Sequence, residues 1–185
     1  MMGKRVDPKK ATANKLKFPE QALKVVEQSN IILELFDARF IDEMHNLELE
    51  NLVKEQGKIL IQVANKADLL KEKKPKQGKI SFVSCKQRKG IRKLRDLIKK
   101  LSKKVDTTHK DFDKVQIGII GYPNTGKSSL INLLTGKSSA KTGASAGFTK
   151  GIQKIKLTNN ILLLDTPGVI PIIEALIGKG IPMGT

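Results

Sequence analysis

An apolar run, Val115–Ile120, leads directly into Gly121-Tyr122-Pro123-Asn124-Thr125-Gly126-Lys127-Ser128, and an apolar-rich helical stretch follows to Leu134. Few folds accept that order. A strand has to end in a glycine-containing loop, and a helix has to begin at once with its N-terminus facing the loop's hollow. Backbone N–H groups that turn inward there form a nest for anionic oxygens. A strand–loop–helix unit of this kind sits in a parallel sheet, because a helix is the usual crossover between parallel strands.

The rest of the chain repeats the alternation. Pro19 can open a helix whose buried side is Ala22, Leu23, Val25 and Val26. Ile31–Phe36 reads as a central strand ending at Asp37-Ala38-Arg39. Residues 43–56 read as one helix with Met44, Leu47, Leu52 and Val53 near one face. Ile59–Val63 and Ile80–Val83 read as strands, with a charged loop at 71–79 between them. Residues 90–104 give the clearest helix, with a stripe of Ile91, Leu94, Leu97, Ile98 and Leu101. After a polar connector at about 102–114 come the loop strand, its helix, and two strands around Thr158-Asn159-Asn160 that read as a hairpin. The expected class is α/β with a mostly parallel sheet and one antiparallel edge pair. Residues 1–17 read as a flexible basic arm, residues 18–185 as one domain, and the tail after about 176 carries little signal.

Charge narrows the partners. The formal net charge of the 185 residues is +17. Residues 71–104 hold fifteen Lys/Arg against Glu72 and Asp96, while residues 18–70 have five basic and ten acidic side chains. A basic field this localised favours a polyanion through counterion release. Aromatic residues make up only 4% of the chain, so phosphate and shape contacts on structured RNA fit better than base stacking. No apolar stretch is long enough for a membrane helix, and one cysteine, Cys85, leaves no intramolecular disulfide and fits a reducing compartment. The expected location is the cytoplasm, without membrane association and as a monomer when free.

Three motifs carry chemistry. In the loop, Lys127 can reach two phosphates and Ser128 can ligate a metal, while Asn124, Thr125, Gly126 and Ser129 line the same hollow. Asp165-Thr166-Pro167-Gly168 follows a strand 44 residues beyond Gly121. Its aspartate can hold the metal shell and its glycine N–H can meet a terminal phosphate. Asn65-Lys66-Ala67-Asp68 also follows a strand. A carboxylate there can accept hydrogen bonds from the N1–H and exocyclic amine of guanine, a donor pair adenine lacks. Asn65 can bridge to a neighbouring loop, and the Lys66 stem can lie along the base. Ser84-Cys85-Lys86 is a weaker signal, with the Cys85 N–H expected on the guanine carbonyl. Each short motif alone also reads as an ordinary turn.

Together these residues resemble the GTPase superfamily, but Asn65–Asp68 precedes the phosphate loop, whereas an ordinary GTPase carries it late. The order resembles the circularly permuted ribosome-assembly GTPases of the YlqF/YawG type, from about residue 20 to about residue 172. The resemblance implies a P-loop NTPase fold, a three-layer α/β/α G domain, and binding of GTP and GDP with Mg²⁺. It further implies slow hydrolysis and a role on a maturing ribosomal subunit, with ribosomal RNA as partner. It includes Asp37-Ala38-Arg39, and it makes Gly143 through Thr149 the first switch, with Thr149 on Mg²⁺ and the γ-phosphate. Ser128, Thr149 and Asp165 are then the metal residues, and Lys127, Thr149 and Gly168 the catalytic ones.

The chain also departs from that pattern. Bacterial members typically carry a C-terminal RNA-binding helical domain, while this sequence ends at Thr185. Their N-terminal Pro-Gly-His segment has no match, since Phe18-Pro19 is followed by Glu20-Gln21. His45 and His109 are expected at the surface. Val169 stands where many small GTPases have a water-orienting glutamine, so turnover is expected near the roughly 10⁻⁴ s⁻¹ of unstimulated small GTPases. Asn124 either shapes the loop or holds K⁺ beside the phosphates. Negligible hydrolysis would leave a nucleotide-gated RNA-binding module. The permutation is expected to join the ordinary termini through the connector and to send the second switch straight into the segment from Val169.

Overall fold

The computed structural model describes residues 20–70, 80–107, 113–136 and 152–165. The basic arm, the 71–79 loop, His109, Gly143–Thr149, Thr166–Gly168 and the tail lie outside the described residues. Elements follow in the order α1 (Glu20–Gln28), β1 (Ile31–Asp37), α2 (Ile41–Met44), α3 (Leu47–Glu55), β2 (Ile59–Asn65), β3 (Ser81–Phe82), α4 (Ile91–Ser102), β4 (Val115–Gly121), α5 (Lys127–Thr135), β5 (Gln153–Thr158) and β6 (Ile161–Asp165). A single 3₁₀ turn, Ala67–Leu69, follows β2.

The strands form one six-stranded sheet in the order β3-β2-β1-β4-β6-β5. All neighbours are parallel except β5 with β6, the edge hairpin. β1 is central and every one of its residues is buried. That explains why apolar residues occupy both of its faces, with Glu34 the one charged residue inside the strand, because a strand covered on both faces shows no alternation. Its alternate side chains enter opposite layers. Ile31, Leu33 and Leu35 pack with α4 and α5 through Leu94, Ile98, Leu130, Ile131 and Leu134. Ile32 packs with Val25, Val26, Leu49 and Val53 of α1 and α3, and Phe36 with Ile41 and Met44 of α2. Each such fully buried side chain stabilises the fold by about 1.5–3 kcal/mol. Three layers follow directly from this two-sided burial. Gly118 on β4 lets α1 approach closely, since a Cβ there would lie 2.5 Å from both Ser29 Oγ and Val25 Cγ1.

Residues 43–56 are mostly helical, as their pattern reads, but the helix is broken into two, α2 and α3. The break is at His45-Asn46, where His45 is extended at ψ 131°. Asn46 caps α3, its Oδ1 accepting the Leu49 N–H at 3.1 Å. An Asn N-cap satisfies an orphan amide and so favours a new helix start. Leu47, expected on the apolar face, is 69% exposed. His45 is also not a free surface residue. Its ring lies 4.9 Å from that of Phe36, and its Nδ1 is 2.6 Å from Glu50 Oε1. Glu34, buried mid-strand nearby, has its pKa pushed up to about 8 by burial and then by Glu50, against hydrogen bonds from Gln62 and the Asn46 amide. The strand expected at Ile80–Val83 shortens to two residues, although the Val83 N–H still donates to Ala64 O at 2.8 Å.

Candidate nucleotide-binding site

Parallel pairing brings the separated motifs to one sheet edge. Asp37 pairs in register with Asn65, and Leu35 with Gly121. β6 runs parallel to β4 and ends at Asp165. The carboxyl ends of β1, β2, β4 and β6 therefore open onto the same crevice, where ligands of open α/β sheets bind.

The phosphate loop is built as its sequence requires. Gly126 at φ 94° caps α5. A side chain there would collide with the Asn65 amide nitrogen, so glycine is needed for both the backbone angle and the close approach. Asn124 is left-handed at φ 58° and exposed. Thr125 is buried and donates its hydroxyl to Tyr122 O at 2.8 Å. Lys127 is only 9% exposed. Its Nζ donates to Gly121 O and Tyr122 O, both at 2.7 Å, so the ammonium sits inside the loop. Burial lowers its pKa to about 8, and Asp165 opposes that drop. Phosphates arriving at the loop would stabilise the charged form. Affinity for a nucleoside diphosphate is therefore expected to hold between pH 6.5 and 7.5 and to fall progressively above about pH 8, as the free ammonium loses its proton. Titration with a fluorescent GDP across pH 6.5–9.5 checks this, and a flat profile would reject it.

Asn65 is the junction of the site. It is 2% exposed. Its Nδ2 donates to Thr125 O at 2.8 Å, and its Oδ1 accepts the Cys85 N–H at 3.0 Å. One amide thus ties the β2 loop to the phosphate loop and to the loop after β3. The Cys85 N–H, expected on a guanine carbonyl, is instead given to Asn65. Ser84 also acts within the protein, donating its hydroxyl to Asp68 Oδ1 at 2.5 Å. That bond is the main cause holding the Asp68 carboxyl below its usual pKa. It keeps the group an anionic acceptor aimed by the fold. Lys86 is exposed beside it.

Lys66 takes a left-handed backbone at φ 60°. Its Nζ lies 3.0 Å from Asp37 Oδ2. Sequence reading noted Asp37 only within a family pattern. The available signal was a carboxylate ending a mostly apolar, buried strand. Ser128 lies in the first turn of α5, partly exposed, and Ser129 follows it. Asp165 has its pKa raised by burial, with Lys127 opposing. The Asp165 carboxylate at the end of β6 and the Ser128 hydroxyl at the start of α5 are oxygen donors of the kind a hard divalent cation takes. Thr149 and Gly168 lie outside the described residues.

Not every cation of residues 71–104 belongs to the basic surface. Arg92, Lys93, Lys99, Lys100, Lys103 and Lys104 on and after α4 are exposed. Arg95 is not part of that face. Its guanidinium donates to Leu133 O at 2.9 Å and to Leu134 O, at the C-terminal end of α5. A cation there satisfies orphan carbonyls and the helix dipole.

Comparison with known proteins agrees with this arrangement. A family model described as 50S ribosome-binding GTPase matches residues 116–182. The chain is 45% identical over 153 residues to the uncharacterized GTP-binding protein MJ1464 of Methanocaldococcus jannaschii, covering 80% of this chain and 40% of that protein. It is 34% identical over 158 residues to the probable ribosome biogenesis GTPase A of Mycoplasma genitalium, covering 83% of this chain and 57% of the relative. Among solved structures, the GDP-bound structure of TM YlqF matches with a TM-score of 0.50 and 26% identity, over 81% of this chain and 58% of that one. The chain thus spans less than two thirds of the length of these curated relatives. Sheet order, motif order and these similarities agree that it carries a circularly permuted GTPase domain of the YlqF type.

Proposed function

We propose that this chain binds GTP and GDP with Mg²⁺, hydrolyses GTP slowly, and works in the cytoplasm as a nucleotide-dependent switch on ribosomal RNA or a ribosomal subunit. The observation that carries the reading is Asn65, whose single amide holds a base-reading loop against a phosphate loop. That juxtaposition fits one ligand with a purine at one end and phosphates at the other. Asp68 accepts from the guanine edge. Lys127 exchanges its contacts with loop carbonyls for phosphate oxygens, keeping its charge beside the transferring group. Ser128, Thr149 and Asp165 would hold Mg²⁺, which when bound neutralises charge on the β- and γ-phosphates. The Gly168 N–H would meet the γ-phosphate. Val169 cannot orient water, so a partner supplies that element. Asn124, left-handed in the loop, would hold K⁺ near the phosphates.

The test is co-sedimentation with ribosomal subunits, combined with multiple-turnover hydrolysis in K⁺ and in Na⁺ at matched ionic strength. Subunit binding is expected with a non-hydrolysable GTP analogue and not with GDP. Equal binding in both states sinks the switch. Hydrolysis is expected on the order of 10⁻⁴ s⁻¹ alone and faster with subunits. A rate that subunits leave unchanged favours a nucleotide-gated RNA-binding module. Equal rates in the two salts remove K⁺.

The exposed cations of α4 are the proposed RNA face. The Arg92→Glu/Lys99→Glu variant is expected to weaken RNA binding about tenfold at moderate salt and to lower the slope of log K against log salt by about two. Arg95→Glu should instead lower stability, because it breaks the α4–α5 junction. Filter binding across a salt series, beside thermal melts, separates these outcomes. An unchanged salt slope removes this face.

A further inference from the structure

We propose that Asp37 is a positioning residue for guanine recognition, anchoring the Lys66 ammonium so that the Lys66 stem forms a fixed shelf under the base. This rests on the guanine-binding reading above and deepens it.

The geometry is specific. Asp37 is the last residue of β1, next to Asn65 across the β1–β2 pair. Its carboxylate is 5% exposed, whereas the Lys66 side chain is 31% exposed. Oδ1 accepts the Arg39 N–H at 3.1 Å and Arg39 Nε at 2.9 Å. Oδ2 accepts from Arg39 Nη2 at 2.7 Å and lies 3.0 Å from Lys66 Nζ. Arg39 is itself steadied over the Phe40 ring at 5.1 Å. Burial tends to raise the Asp37 pKa, but Arg39 and then Lys66 outweigh it and hold the group at about 2. The carboxylate therefore stays ionised at any working pH.

A lysine stem is flexible, and fixing it on binding carries an entropic cost. Here the cost is met before the base arrives, because the left-handed Lys66 backbone and the Asp37 anchor fix both ends of the side chain. Pre-organisation of this kind raises affinity without adding a contact to the ligand. Asp37 touches neither base nor phosphate in this arrangement. Its effect should reach GMP, GDP and GTP equally and should pass entirely through Lys66.

The experiment is a double-mutant cycle on the full chain, read by displacement of a fluorescent GDP. Asp37→Asn is expected to weaken GMP, GDP and GTP alike by about tenfold, the scale of one charge-assisted hydrogen bond. Lys66→Met should weaken them at least as much. The double variant should be no weaker than Lys66→Met alone. Lys66→Arg, which keeps a cation for Asp37, should retain most of the affinity. Additive losses in the double variant would overturn the proposal, as would a loss confined to GTP or wild-type affinity in Asp37→Asn. If Asp37→Asn does not fold, the comparison of Lys66→Met with Lys66→Arg decides, and equal losses in the two would overturn it. A wild-type chain that binds no GDP rejects the nucleotide reading itself, a separate result.

Discussion

Asp68→Asn is expected to lower GDP and GTP affinity by a factor on the order of 10³ and to bring xanthine nucleotides into the site. Guanine presents two adjacent donors, its N1–H and its exocyclic amine, and a carboxylate presents two acceptors. The Ser84 hydroxyl at 2.5 Å from Oδ1 fixes the carboxylate plane and helps keep it ionised. An asparagine replaces one acceptor with a donor. The exocyclic amine of guanine then faces an N–H, and neither of these two donors has an acceptor. Xanthine carries a carbonyl at that position, so the new N–H finds an acceptor. The Ser84 hydroxyl can still donate to the asparagine carbonyl, so the loop should keep its shape. Competition titrations with GDP, XDP and ADP measure the change. Undiminished guanine preference would mean that the base is read elsewhere.

Asn65→Ala should act on folding and binding together. The side chain is almost fully buried and makes two hydrogen bonds to backbone groups of two other loops. Its removal leaves Thr125 O and the Cys85 N–H without those partners and opens a void beside Gly126. The combined cost is about 3 kcal/mol of stability. Binding should fall further than stability explains, because the base-reading and phosphate loops would no longer share a fixed separation. GDP should lose more than tenfold, while inorganic pyrophosphate, which spans only the phosphate loop, should lose little. Denaturant unfolding and calorimetric titration of both ligands test this. Equal losses for GDP and pyrophosphate would show that Asn65 supports only the phosphate loop.

Much of this was legible from residue order because each motif is local. The phosphate loop needs Gly121, Gly126, Lys127 and Ser128 within eight positions, after a strand and before a helix, and β4 and α5 flank it as expected. The mostly apolar stretches of β1 and β4 read as strands, and both are buried along their whole length. The antiparallel hairpin was marked by the turn residues after Leu157. Less legible were elements set by capping and distant contact. Asn46 in a helical pattern gives no sign from spacing alone that it will cap rather than continue. Arg95 sits among basic residues and looks like one more surface cation until α5 places two carbonyls beside it.

The sequence by itself determined the strand–loop–helix unit, the glycines, lysine and serine of its loop, the Asn65–Asp68 motif, and the permuted order in which they occur. These rest on short-range backbone geometry and on the hydrogen-bonding capacity of single side chains. Only the tertiary structure decided how the parts meet. Parallel register aligns Asp37 with Asn65 and brings Thr125, 60 residues further along the chain, within 2.8 Å of that same asparagine. It turns Ser84 and Cys85 inward to order Asp68 and Asn65, and it pairs Lys66 with a carboxylate from another strand. Side-chain partners across a sheet edge depend on strand order and register, and those are set by burial of the whole core.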